Sequence, residues 1–422
     1  MSGAERVLEH ATCLGCGCAC DDIAVVVRRD RIVAARQACA LGVAWFGEGV
    51  VPRAIRSGGR KKAVAAALAD AATLLAGARR PLVYLSTDLT CETQREGVAI
   101  ADRLGALLDS PDSDGAAPSI LAAQRRGRAG ATLGEIRQRA DLLVFWGVDP
   151  AERYPRYGSR YAVEPAGLQT PDGRRSRTIV AVDVGPARGP ADADARVAIA
   201  PDEEIDALAL MQAAVLGNAA ADSDLMRRAG DLARRMTWAR YVALVHDGDA
   251  SPPPADAARA EGLIALAQVL NGPTRCALST LRAGGNRSGA EAVMTWQTGF
   301  PFAVDFARGY PRYRPHAGAA VCLARGEIDA ALMLGSPAGV PEPVATALGA
   351  GGVACVAIGP RASEGAKGFM PTIAVDTGVP GIHEAGTALR MDDVPLPLRA
   401  ALEGPAGALE VVRALAQRLV PA

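Results

Sequence analysis

The sequence predicts an α/β protein, with a small cysteine-rich unit followed by two α/β domains whose sheets are mainly parallel. Three observations carry this expectation. From about residue 59 onward, apolar strand-like runs alternate with helical periodicity. That pattern implies right-handed crossovers and a sheet covered on both faces. The run "DLLVFWGVDP" is apolar without alternation, as a strand buried on both faces is. Finally, four cysteines fall within the eight residues that begin at Cys13, which marks off the start of the chain. The expected domains are residues 1–58, 59–250 and 251–422, the last two interleaved in space.

The elements follow in order. "IAVVVRRDRIVAA" reads as two short strands around a polar turn at Arg28–Arg31. The basic, glycine-containing "RSGGRKK" reads as a linker. "AVAAALADAATLLAGA" has the periodicity and alanine content of a helix. "PLVYLS" reads as a strand, "ETQREGVAIADRLGA" as a helix, and "LLDS" as the entry to a loop rich in Ser, Asp, Gly and Pro. "DLLVFWGVDP" and "RTIVAVDV" are strands, and "DEEIDALALMQAAVL" is a helix whose acidic first turn suits its dipole. The Pro- and Ala-rich "DGDASPPPADAARA" (247–260) reads as a loop. The second half repeats the logic with helix "GLIALAQVLNG", strand "RCALSTL", and a glycine-rich loop running into a helix in "RAGGNRSGAEAVMTWQTG". Strands "IDAALMLGS" and "GVACVAIGP" follow, and "PTIAVDTGVPGIHEAGTALR" closes the sheet.

Composition narrows the function. A chain of 422 residues can bury a substantial interior. Half of it is hydrophobic but only 4 % is aromatic, so the core is built from small side chains. Lys plus Arg balances Asp plus Glu at 46 each. That balance argues against a nucleic-acid partner or an electrostatic membrane binder. No apolar signal-like segment follows Met1, and no run of eighteen apolar residues occurs, so a soluble, cytoplasmic protein is expected. In that compartment nine cysteines read as thiols or ligands.

Cys13, Cys16 and Cys20 with the distant Cys39 have a spacing suited to a [4Fe–4S] cluster or to a four-sulfur zinc site. By spacing alone Cys18 could replace Cys20, and the bland alternative is a set of buried thiols. Asp21 and Asp22 read equally well as turn-forming residues. Cys91 precedes a helix, where a thiol can be acidified, but no His or second Cys stands beside it in sequence, so a packed small residue is the simpler reading. Cys276, Cys322 and Cys355 lie in apolar contexts and read as core. His10, His246, His316 and His383 are scattered and form no zinc pattern. No nucleophile elbow or Walker loop occurs. The glycine-rich loops "WGVDPAERYPR" and "RAGGNRSGAE" place Arg153, Arg156, Arg282 and Arg287 at strand ends, where a phosphorylated ligand could bind.

Several passages together resemble the B subunit of formylmethanofuran dehydrogenase, of the molybdopterin oxidoreductase superfamily. They are "CLGCGCACDDI", "QACALGVAWF", "TCETQREGVAIADRLGALLD", "ATLGEIRQRADLLVFWGVDP", "GNRSGAEAVMTWQTGFPFAVDFARGYPRY" and "GIHEAGTALRMDDVPLPLR". The resemblance runs from residue 13 to near 400. It implies a molybdopterin-oxidoreductase-like fold without a C-terminal β-barrel, with cluster thiols at Cys13, Cys16, Cys20 and Cys39 and Cys18 outside the set. It also implies a Cys bound to tungsten or molybdenum, followed by a His, just before a Gly-Pro-Ser step. Aligned on Pro118–Ser119, those positions hold Gly115 and Ala116, and no cysteine occurs between Cys91 and Cys276. Gly185–Pro186 and Ala200–Pro201–Asp202 depart from the family's pterin-binding segment as well.

The departures fit a paralogue, the B subunit of the bacterial formyltransferase/hydrolase complex. That complex transfers a formyl group from tetrahydromethanopterin to methylofuran and releases formate in one-carbon oxidation. The resemblance implies a structural subunit without catalytic residues and without tungstopterin or molybdopterin. Its partners would be an amidohydrolase-like A subunit, a C subunit and a formyltransferase D subunit. The alternatives are an active tungsten or molybdenum subunit and a [4Fe–4S] electron-transfer protein. The [4Fe–4S] site itself is either filled or vestigial.

Overall fold

The computed structural model describes residues 5–218, 222–249 and 257–419, with backbone only at Asp114. Most of the proline-rich stretch expected as a loop, residues 250–256, lies outside the described residues. The chain builds part of one unit, leaves it to build a second, and returns to finish the first. The first unit takes residues up to 114, 284–390 and 395 onward; the second takes 115–283 and 391–394.

On the first pass, β1 (Arg6–Ala11), β2 (Ile23–Arg28) and β3 (Arg31–Arg36) form an antiparallel sheet in that order. Arg29 and Asp30 both have positive φ, 51° and 56°, as a two-residue hairpin turn requires. Helix α1 (Ala40–Phe46) follows, then β4 (Ile55–Ser57) and β5 (Arg60–Lys61). The expected linker "RSGGRKK" is therefore a hairpin. Its adjacent Gly58 and Gly59 supply φ of 56° and 75° at the turn. Next come α2 (Val64–Ala76), β6 (Pro81–Leu85), α3 (Cys91–Leu104) and β7 (Leu107–Asp109). Thr90 caps α3 by accepting from the Thr93 N–H at 3.1 Å, and Gly105 ends it in the left-handed region.

The loop expected after "LLDS" is instead helix α4 (Ser113–Arg126), with Pro118 inside it. The Ser, Asp, Gly and Pro content reads as a loop. Buried Ala116 and Ala122 give the segment a packed face, and packing outweighs propensity here.

The second pass holds α5 (Leu133–Arg139), β8 (Leu142–Trp146), β9 (Thr178–Val184), β10 (Ala195–Ile199), α6 (Glu204–Val215), α7 (Asp224–Trp238), β11 (Val242–Asp247), α8 (Ala257–Leu270) and β12 (Cys276–Leu281). Its five strands are all parallel, in the order β10-β9-β8-β11-β12. Alternate residues Leu142, Val144, Trp146, Val242 and Leu244 pack with residues of α6, α7 and α8 into one core. Neither β11 nor α7 was expected from the sequence.

The third pass adds α9 (Arg287–Thr298), β13 (Val304–Asp305), β14 (Arg312–Tyr313), α10 (Ala319–Ala324), β15 (Ala330–Leu334), α11 (Glu342–Gly349), β16 (Ala354–Gly359), β17 (Ile373–Asp376), β18 (Gly386–Leu389), β19 (Pro395–Leu398) and α12 (Ala408–Arg418). The first unit's main sheet has nine strands, β14-β13-β7-β6-β15-β16-β17-β4-β5. Its centre is parallel and its two edges antiparallel.

The domain boundaries at 58 and 250 are thus corrected. Strand β6 pairs with β15 in register from Pro81↔Ala330 to Leu85↔Leu334, so residues 59–114 belong with the last third of the chain. The cysteine-rich segment is part of the same unit rather than a separate one. Thr12 Oγ1 donates to the Pro397 carbonyl at 2.9 Å, and the Gly285 N–H donates to the Leu14 carbonyl at 2.9 Å. Among the described residues no helix is long and apolar enough to cross a membrane.

Candidate functional site

The cysteine loop joins β1 to β2 and is closed by its own backbone. The Cys13 N–H donates to the Cys20 carbonyl at 2.9 Å, and the Ala19 N–H to the Cys16 carbonyl at 3.1 Å. Cys13, Cys18 and Cys20 are buried, whereas Cys16 and Cys39 are half-exposed. Cys39 is the N-cap of α1, which brings it to the loop. The thiols share one neighbourhood. Burial, with the nearby Cys20, Cys16 and Cys39, pushes the Cys13 thiol up to about 12. Cys18 hydrogen-bonds Cys16, and this bond with burial raises its thiol well above the ordinary value. The Gly15 N–H donates to Cys13 Sγ at 3.3 Å. A Cβ on Gly42 would stand 3.2 Å from the same sulfur, so a bare glycine leaves that side of it open. Among the described residues no three His, Cys, Asp or Glu side chains are placed to hold a single metal ion. The thiols that act on Cys13 are those of Cys16, Cys20 and Cys39, and sulfur is the ligand chemistry of an iron–sulfur cluster.

Gly115 and Ala116 lie in the first turn of α4, and Ala116 is fully buried. Neither residue offers a donor to a metal. Just before them, the Asp109 carboxylate at the end of β7 accepts from the Ala319 and Ala303 N–H groups, at 2.6 and 3.2 Å. Burial pushes it up to about 6. Ser110 is 2 % exposed, and its Oγ has no partner among the described residues. Asp112 pairs with Arg287 at 2.8 Å, and Arg287 reaches Glu291 at 3.3 Å.

In the second unit the carboxyl ends of the parallel strands, where open sheets hold ligands, carry most of the buried charge. Asp247 ends β11. It pairs with Arg153 and accepts from the Tyr154 hydroxyl at 3.2 Å and the Asp249 N–H at 2.8 Å. Arg282, just past β12, lies 3.8 Å from Asp249, and both side chains are buried. Of the arginines expected at a phosphorylated ligand, Arg153, Arg282 and Arg287 each face a carboxylate. Arg156, three residues after Arg153, is half-buried. Their charge is met from within the chain.

The segment with the departures is likewise self-contained. Asp183, near the end of β9, accepts from Arg196 at 2.6 and 2.8 Å and from the Gly189 N–H at 2.9 Å. Burial works to raise its carboxyl, but the Arg196 guanidinium and the Gly189 N–H hold it below the usual range. Gly185 sits against Pro201, where an added Cβ would stand 2.5 Å from Cγ. Trp146 Nε1 and Arg259 Nε both donate to the buried Glu204 carboxylate, at 2.6 and 2.8 Å.

The remaining candidates read as structural. Burial raises the Cys91 thiol, against which the Asn286 amide sits at 3.5 Å. Cys276, Cys322 and Cys355 are buried, as expected for core. His246 is buried, with Nε2 2.9 Å from Thr280 Oγ1. Burial and the neighbouring Arg259, Arg282 and Arg128 keep it neutral. His383 bridges the Val379 N–H and the Gly49 carbonyl. His10 and His316 are exposed. Sequence reasoning missed Asp183, Asp247 and Glu204. The signal for the two aspartates was a carboxylate at or near the end of a strand, and for Glu204 a carboxylate at the start of α6, each with an arginine elsewhere in the chain and no spacing to join them.

No family model matches the chain. The B subunits of tungsten-containing formylmethanofuran dehydrogenase 2 from Methanocaldococcus jannaschii and Methanococcus maripaludis are each 30 % identical to it over 434 residues. The alignments cover 98 % of this chain and 99 % of each relative. The B subunit of the formyltransferase/hydrolase complex Fhc of Methylorubrum extorquens is 30 % identical over 337 residues, which is 78 % of this chain and 86 % of that protein. A solved structure is also similar: the crystal structure of the formyltransferase/hydrolase complex (FhcABCD) from Methylorubrum extorquens in complex with methylofuran. The matched chain superposes with a TM-score of 0.69 at 26 % identity, covering 87 % of this chain and 98 % of that one.

Proposed function

The chain belongs to the family of formylmethanofuran dehydrogenase B subunits, and from that membership we propose that it is a non-catalytic, structural B subunit of a formyltransferase/hydrolase complex. The complex would move a formyl group from tetrahydromethanopterin to methylofuran and release formate. The chemistry would belong to an amidohydrolase-like A subunit and a formyltransferase D subunit. This chain would hold them together with a C subunit, in the cytoplasm.

The observation that carries the reading is the pair Gly115–Ala116 on α4. The resemblance puts a metal-binding Cys and a His there. A glycine has no ligand to give, and a fully buried methyl cannot relay a proton. Support comes from the strand ends. Asp183 is engaged by Arg196, and Arg153 and Arg282 face aspartates, so the groups that would grip a charged pterin are paired with one another. The residues present do not fit a tungstopterin or molybdopterin.

Cys13, Cys16, Cys20 and Cys39 do fit a four-thiolate group. They would hold a [4Fe–4S] cluster that ties the β1–β2 loop to α1. Support comes from the mutual proximity of these thiols, with Cys16, Cys20 and Cys39 all acting on Cys13. Such a cluster would supply cross-linking rather than electron transfer.

A second reading is an active tungsten or molybdenum subunit. It is favoured by the tungsten-containing relatives, which match over nearly the full length of both chains. Tungsten, molybdenum and iron analysis of the intact purified complex separates the two. The structural reading expects neither tungsten nor molybdenum; one atom of either per chain overturns it.

A further inference from the structure

The chain is poor in aromatic residues: four Trp, six Phe and seven Tyr in 422 residues. Six of them fall between Trp296 and Tyr313. Two of the six, Phe302 and Phe306, are buried and anchor the segment. The others are not used as core. Trp296 is 57 % exposed and Tyr310 52 %. Half-exposed Phe300 and Tyr313 stack on each other, with ring centroids 5.8 Å apart and planes 9° apart.

The segment is also stiff. Gly299 ends α9 with φ of 80°, and Thr298 Oγ1 donates to the Met294 carbonyl at 2.7 Å and accepts from the Phe300 N–H at 3.1 Å. Strands β13 and β14 then pair across a tight turn in which the Gly309 N–H donates to the Phe306 carbonyl at 2.8 Å. The Asp305 carboxylate below the turn is held by Arg80 at 2.8 Å and Arg314 at 3.0 Å. A preordered loop loses little entropy on docking.

Its charge is one-sided. Asp305 is the only carboxylate between residues 296 and 316, and it is buried under two arginines. Arg308 is exposed and Arg312 half-exposed, and neither pairs with a carboxylate among the described residues. Within this segment the exposed charge that is not met by a carboxylate is positive. Exposed Trp, Tyr and Arg on a rigid support are the composition of protein-interface hot spots.

We infer that the face formed by the end of α9 and the β13–β14 hairpin docks a partner subunit that presents carboxylates, with Trp296 and Tyr310 as apolar anchors and Arg308 and Arg312 as the ion-pairing groups. The inference rests on the reading of this chain as one subunit of a complex.

The test uses the full chain, tagged and co-expressed with the three proposed partner subunits. Affinity capture and light scattering measure what it retains at two salt concentrations. Arg308→Glu/Arg312→Glu and Trp296→Ala/Tyr310→Ala are each expected to lower the retained partner roughly tenfold or more, with thermal melts like wild type. The wild-type complex is expected to weaken with salt. Trp238→Ala, which removes an 83 % exposed tryptophan on α7, is expected to assemble as wild type. Full retention by both double variants overturns the inference, and so does loss of assembly in Trp238→Ala alone. A dimer of the chain by itself that the charge reversal breaks would assign the face to a second copy and overturn it too. A wild-type chain that retains none of the three partners overturns the complex reading, and this inference with it.

Discussion

Replacing Ala116 with histidine restores, in type, the proton-relaying residue that the resemblance implies, and the fold should be destabilised by it. Ala116 is fully buried in the first turn of α4. An imidazole there must displace packed neighbours, at about 1–3 kcal/mol. Ring nitrogens buried there without a new partner add about 1–3 kcal/mol more. The two add to roughly 2–6 kcal/mol, or a fall of roughly 4–24 °C in the melting temperature of a unit this size. Gly115→Cys is the contrasting case. Gly115 is half-buried and helical, and exchanging glycine for cysteine there gains a few tenths of a kcal/mol in helix propensity. Circular dichroism melts of the two single variants should therefore move in opposite directions or differ by several degrees. If Ala116→His melts like wild type, position 116 is an open cavity able to host the missing group, and the packing described for it is wrong.

Three further outcomes are expected. On the proposed cluster, whose ligands exclude Cys18, Cys13→Ser should lose bound iron and Cys18→Ala should keep it; iron loss from Cys18→Ala would make Cys18 a ligand. Asp109 sets a pH dependence. Its folded pKa of about 6 stands above the ordinary value near 3.8, so its contribution to stability is fully present below about pH 4 and lost as pH rises through about 6, by ~3 kcal/mol. Asp109→Asn should flatten that slope in urea titrations taken from about pH 4 to pH 7, and an unchanged slope would count against it. Arg196→Ala leaves the buried Asp183 carboxylate with the Gly189 N–H and the more distant Arg188 at 4.0 Å, and should cost about 1–3 kcal/mol by urea unfolding, the range reduced because Arg196 is itself partly exposed. A variant as stable as wild type would show that the pair contributes nothing.

Strands such as Leu142–Trp146 and Ala330–Leu334 were legible because a continuous apolar run bounded by turn residues has few other uses. The hairpin at Arg29–Asp30 was legible from its polar tip. The strand Val242–Asp247 was not, because it ends in His246–Asp247 and runs into a proline-rich stretch, which together mask four apolar residues. Helix α4 was hidden by Pro118 and by Ser, Asp and Gly, residues whose loop preference the packing of Ala116 and Ala122 overrides. The domain boundaries were out of reach for another reason. The pairing of β6 with β15 spans about 250 residues, and no local pattern announces it. The same holds at the candidate site. The cysteine cluster announces itself by density, while Asp183 with Arg196 and Asp247 with Arg153 are joined only by the fold.

A B subunit that has lost its metal-based redox centre and serves assembly should leave the whole complex working without tungsten or molybdenum. Elemental analysis of the intact complex decides this, with both metals counted per chain in a preparation that releases formate from formylated carrier. The expected result is active complex with tungsten and molybdenum both far below one atom per chain. One tungsten or molybdenum per chain, in a complex that oxidises formate to carbon dioxide with an added electron acceptor and loses that oxidation as the metal is stripped, would show instead that the redox centre is intact.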